Sequence, residues 1–79
     1  MNIEAVKPGQ SFSILSVEYR LVRSTGEYTD VRVINRWGRA TGDRTRALKV
    51  VVERKRHDGR MTRPHYMHVP VSWPIRVSA

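Results

Sequence analysis

Histidines, carboxylates and glycine-rich turns carry most acid–base, metal and nucleotide chemistry, and their spacing decides which of these a chain could perform. His65 and His68 stand three residues apart. On a strand that spacing sends two side chains to opposite faces, which prevents them from sharing a metal ion. The chain has no cysteine, which excludes thiolate metal sites and a disulfide framework. His57 and Asp58 are neighbours at what reads as a turn tip, where exposure removes the burial that tunes a catalytic pKa. The run Gly38-Arg39-Ala40-Thr41-Gly42-Asp43 has glycines four apart but lacks the Gly-Lys-Ser/Thr ending that cradles a nucleotide. No nucleophile sits with a base and no carboxylates pair. The expectation is a protein that is not an enzyme and holds neither metal nor cofactor.

What remains is cationic chemistry. Lys and Arg number 15 against 7 acids, a formal charge of +8, and 12 of the 15 are arginine. The planar guanidinium pairs with phosphate or carboxylate in bidentate fashion, whereas lysine acts mainly as a point charge, so the bias favours oxyanion contact. The charge is also uneven. Residues 1–30 hold three cations against four acids, a balance of −1, while residues 31–79 hold twelve against three, a balance of +9. One electropositive face is expected from such asymmetry.

The cations that would form this face are Arg36, Arg39, Arg44, Arg46, Arg54, Lys55, Arg56, Arg60 and Arg63. They interleave with Trp37 and Tyr66, a combination suited to phosphates and, where a ring is exposed, to unpaired bases. Trp37 is in phase with Val31 and Val33, which predicts a core position for it rather than a stacking role.

These residues need strands to position them. A Pro8-Gly9 turn precedes the first run, in which Leu15, Val17, Tyr19 and Leu21 alternate with polar residues. Phe12 and Ile14 lie on the other phase, which a bulge or bend near Ile14-Leu15 would reconcile. Ser24-Thr25-Gly26-Glu27 reads as a hairpin turn, Tyr28 to Trp37 as a second strand, and Gly38 to Thr45 as a mobile loop. Residues 43–56 hold good helix formers, with Asp43 available as a cap, but Val50-Val51-Val52 favours a strand from Ala47 to Arg56.

Asp58-Gly59 then predicts a two-residue type I′ turn. That register pairs Arg56 with Met61, Arg54 with Arg63, Val52 with His65, Val50 with Met67 and Leu48 with Val69. Arg54, Arg56 and Arg63 would crowd the tip of one face. Met61 to Val69 forms the fourth strand, and Pro64 suggests an edge, since it cannot donate a ladder hydrogen bond. Ile75-Arg76-Val77 could close the sheet.

Seventy-nine residues allow one hydrophobic core and hence one domain over 1–79. The predicted fold is all-β, a small twisted antiparallel sheet of four to five strands that could roll into an open barrel. The order hairpin, loop, hairpin, short strand resembles SH3-like and other small barrels in architecture. In size and make-up the chain is also similar to phage-encoded host-takeover proteins, including anti-CRISPR proteins. Met1-Asn2-Ile3-Glu4 starts no signal peptide pattern and no apolar run could span a bilayer, so neither a leader nor a membrane partner is expected. The absence of cysteine fits the cytoplasm. Two functions are expected from the charge. One is a nucleic-acid-binding module that grips the phosphate backbone of DNA or RNA. The other is an inhibitor that binds an acidic surface or the nucleic-acid channel of a larger protein complex. An exposed edge strand would allow a homodimer.

Overall fold

The structure is a computed structural model and describes residues 1–35 and 37–78. Five strands form one antiparallel sheet: β1 (Ser11–Ile14), β2 (Val17–Ile34), β3 (Ala40–Arg54), β4 (His65–Pro70) and β5 (Arg76–Val77). Their spatial order is β4-β3-β2-β1-β5, so the sheet stays open with β4 and β5 as its edges. The edge position that Pro64 suggested is the one β4 occupies. A short 3-10 turn, Ile3–Ala5, precedes the sheet. No helix among the described residues is long and apolar enough to cross a membrane.

Residues directly opposite in an antiparallel ladder share a face, and the register therefore explains the core. Phe12 faces Tyr19, Leu21 faces Val52, Val50 faces Met67, and Leu48 faces Val69. This row of apolar side chains crosses four strands. Ile3 and Val6 from the N-terminal lead and Ile75 from the approach to β5 complete the buried cluster. The two chain ends are tied where the Ile75 N–H donates to the Met1 carbonyl at 2.8 Å.

The anticipated bend at Ile14-Leu15 is instead a complete hairpin. Ile14 pairs with Val17 across a two-residue turn in which Leu15 and Ser16 have φ of 49° and 70°. Reversal of the chain brings Phe12 and Tyr19, which lie on opposite phases in sequence, to one face. Leu-Ser lacks the residues that usually mark such a turn. A side chain held at positive φ costs roughly 1–2 kcal/mol, so Ser16→Gly is expected to raise the melting temperature by a few degrees in a thermal scan.

Ser24-Thr25-Gly26-Glu27 does not turn the chain either. Ser24 faces Val50 and Tyr28 faces Leu48, which leaves Thr25, Gly26 and Glu27 opposite the single residue Lys49. The Thr25 hydroxyl donates to the Lys49 carbonyl at 2.7 Å and holds this bulge against β3. An 18-residue strand would extend about 60 Å at 3.3 Å per residue, but the longest dimension of the molecule is 36 Å. Bulges therefore bend β2 back over the domain. The segment expected to be a mobile loop, Gly38 to Thr45, lies mostly in β3. The reversal occurs just before it, where the Asn35 N–H donates to the Arg39 carbonyl at 2.9 Å and Gly38 takes φ of 78°.

Candidate nucleic-acid interface

The β3–β4 hairpin carries the densest cluster of cations. The Arg56 N–H donates to the Arg60 carbonyl at 2.7 Å, which closes a three-residue loop, His57-Asp58-Gly59, with Gly59 at φ of 87°. This geometry is a type I turn followed by a glycine bulge, in place of the expected two-residue turn. Only glycine takes positive φ here, while the Asp58 carboxylate accepts from the Arg60 N–H at 2.9 Å. Lys55 consequently faces Met61, and the Thr62 N–H donates to the Arg54 carbonyl at 2.8 Å.

Further down, Val52 faces His65, Val50 faces Met67 and Leu48 faces Val69, as the sequence predicts. The two registers are reconciled where Arg63 and Pro64 stand opposite the single residue Glu53. Arg63 is thus not the cross-strand neighbour of Arg54; the cluster on that face is Arg54, Arg56 and Arg60. Arg54 shares the face of Tyr19 and the core valines, but lies beyond the edge of the core and is exposed.

Three of the seven carboxylates pair with other cations. Glu53 binds Arg20 at 2.8 Å, Glu18 binds Lys55 at 3.3 Å, and Glu27 reaches Lys49 at 3.8 Å. Among the described residues Arg54, Arg56, Arg60 and Arg63 have no ion-pair partner. Val17 and residues Arg54 to His57 line a depression of about 340 Å³ beside this tip.

A second basic element is the ribbon formed by Tyr28–Ile34 of β2 and the first half of β3. The pairing of β1 ends at Arg20 and that of β4 begins at Ala47, so the ribbon has no third strand. Arg32 stands directly opposite Arg44, and Asp30 opposite Arg46. Arg46 lies over the Tyr28 ring at 3.7 Å, and Arg39 is exposed at the ribbon's end. Arg36 lies outside the described residues. Trp37 is not in the core: β2 ends at Ile34, the alternation stops there, and the indole is 72% exposed.

The Tyr28 hydroxyl donates to Glu4 Oε2 at 2.6 Å and anchors the ribbon to the N-terminal lead. That hydrogen bond, then loss of solvent and the carboxylate's charge, raise the phenol's pKa above its ordinary value against the opposing pull of Arg46. Neutral Tyr28 therefore stabilises the fold below the ordinary tyrosine pKa, and this contribution is lost as pH rises through the folded value. Glu4→Gln is expected to return the phenol toward its ordinary value, as read from the ultraviolet phenolate band, and to flatten the alkaline loss of stability.

The two histidines on β4 face Val52 and Lys49 respectively, which places them on opposite sides of the sheet. Among the described residues no three metal-ligating side chains converge. Arg32 and Arg76 were not among the residues expected from sequence. The pairing of Arg32 with Arg44 follows only once the reversal at Asn35–Arg39 is recognised, and the signal for it is Gly38 three residues after Asn35, the same spacing as Arg56 to Gly59. No protein family, curated protein or solved structure matches the chain.

Proposed function

We propose that this domain is a non-catalytic binding module that holds the phosphate backbone of a nucleic acid, in the cytoplasm and without metal or cofactor. The observation that carries this reading is the hairpin cluster. The turn sets Arg56 and Arg60 on adjacent positions, Arg54 stands beside them, and none of the three has an ion-pair partner among the described residues. Like charges on neighbouring strand positions destabilise a free sheet, so an anion from outside would relieve them. Phosphate suits the guanidinium fork, and neutralising phosphates releases counterions. Arg39, Arg44 and Arg46 on the ribbon, with Arg63 near the hairpin, would extend the contact, whereas Lys55 is already paired with Glu18.

Electrophoretic mobility shift with single-stranded and duplex DNA and RNA, repeated over a range of salt, tests the reading. Binding that weakens steeply and linearly in log–log form supports it. Absence of any shift at physiological salt would overturn it in favour of an acidic protein surface as the partner.

A further inference from the structure

Two adjoining depressions lie away from the hairpin. One, of about 450 Å³, is lined by Ile14, Leu15, Ile34, Asn35, Trp73 and Pro74. The other, of about 500 Å³, includes Ser13, Ser16 and Arg76 and shares Leu15 and Pro74 with the first. Both fall in the size range of small-ligand clefts, ~300–1,000 Å³. The first is apolar with an indole in its wall. The second carries two hydroxyls and a guanidinium with no ion-pair partner among the described residues.

We propose that this pair of depressions accepts one unpaired nucleotide of a single strand, with the base in the apolar depression and a flanking phosphate beside Arg76. The proposal rests on the phosphate-binding reading above and goes beyond it by naming the strand state and a second contact.

Three observations carry it. The apolar depression is open although it joins buried Ile14 to exposed Leu15 and Ile34, and a flat π-face against Trp73 and aliphatic walls is what a base offers. Its polar wall residue is Asn35, whose Oδ1 accepts from the N–H groups of Trp37 and Arg39, each at 3.0 Å. Those two bonds fix the amide's orientation and leave Nδ2 as a donor with no partner among the described residues, suited to an acceptor on a base edge. Finally, the adjoining depression brings the cation Arg76 to the walls the two share, Leu15 and Pro74.

The test compares a fluorescently labelled oligothymidylate of about twelve nucleotides, within the site sizes common for single-strand binders, with a strand of equal length whose sugars carry no bases. Both have the same phosphates. The intact strand is expected to bind at least about fivefold tighter, since stacking of even one base is worth that much. Ile34→Ser and Trp73→Ala, with unchanged far-UV spectra, should each weaken binding of the intact strand and leave the abasic strand unaffected. A duplex of the same sequence should bind more weakly than the single strand. Equal binding of intact and abasic strands would remove the base site and leave the phosphate reading standing. A gap untouched by either variant, or a duplex bound as tightly as the single strand, would also overturn the site. If neither strand binds, the base site falls, and the phosphate reading falls with it where the duplex also fails to bind.

Discussion

Replacing Arg54, Arg56 and Arg60 together by glutamine is expected to weaken nucleic-acid binding at least about tenfold and to flatten its salt dependence. Each phosphate contact contributes about 0.7 to the log–log slope on a single strand and about 0.9 on a duplex, so three lost contacts remove roughly 2 to 3 units. Glutamine keeps much of the aliphatic stem and hydrogen-bonding capacity, which confines the change largely to charge. Stability should hold or rise slightly, because Arg56 and Arg60 meet across the closed turn and neither guanidinium forms an ion pair among the described residues, the Asp58 carboxylate of that turn accepting from the Arg60 backbone N–H instead. Affinity titrations at several salt concentrations and a thermal melt measure both effects. Arg20→Gln is the control: it removes one cation from the opposite face, where the guanidinium is already engaged by Glu53. A triple variant that binds like the wild type with the same slope would show that these arginines are solvated surface.

The structure divides the chain's cations into two kinds. Arg20, Lys49 and Lys55 stand close to carboxylates and contribute little net charge to a partner. Among the described residues the arginines of the hairpin and the ribbon form no ion pair, and they lie toward the two ends of β3. That strand therefore serves as the frame of the interface, with its apolar middle, Leu48 to Val52, in the core and its charged ends outside.

The middle of β3 and its pairing with β4 were legible because burial of one sheet face imposes a period of two, and Val50, Val52, Met67 and Val69 obey it. Of the ribbon, the β2 half from Tyr28 to Ile34 was legible by its alternation, while the β3 half was not, for the complementary reason. A two-stranded segment with much of both faces exposed needs no apolar alternation, so Ala40 to Thr45, within the run Gly38 to Thr45 that reads as loop, forms strand with a register shift opposite Val33. Turn chemistry misled in both directions. Ser-Thr-Gly-Glu has turn residues yet bulges within β2, because the Thr25 hydroxyl can hold the bulge to Lys49. Leu15-Ser16 has none, yet turns the chain because Phe12 and Tyr19 gain a shared buried face by it. The basic tip was recognisable by composition, whereas its partners depended on one residue of loop length: a three-residue loop sets Arg60, not Met61, across from Arg56.

Phe12→Ala is expected to produce the largest loss of stability. Phe12 is fully buried and its ring stacks on Tyr19 with centroids 5.5 Å apart. Truncating a buried phenylalanine to alanine costs about 3–5 kcal/mol through lost burial and the cavity left behind. A domain of 79 residues has a total stability of roughly 4–12 kcal/mol, so the variant would lose a large share of it. At about 4–8 °C per kcal/mol, the melting temperature should fall by roughly 12–40 °C. The position of β1 makes the loss consequential for binding, since it bridges β2 and β5, ends in Ile14 and the Leu15 turn, and pairs through Ser13 with Arg76 of β5. Phe12→Leu keeps most of the apolar volume and should fall much less, which separates packing from any wider disturbance of the turn. Thermal melts of the two variants decide the matter. A loss below about 1 kcal/mol for the alanine variant would mean that the core resides in β2, β3 and β4 alone, and that β1 is docked onto them without holding the sheet together.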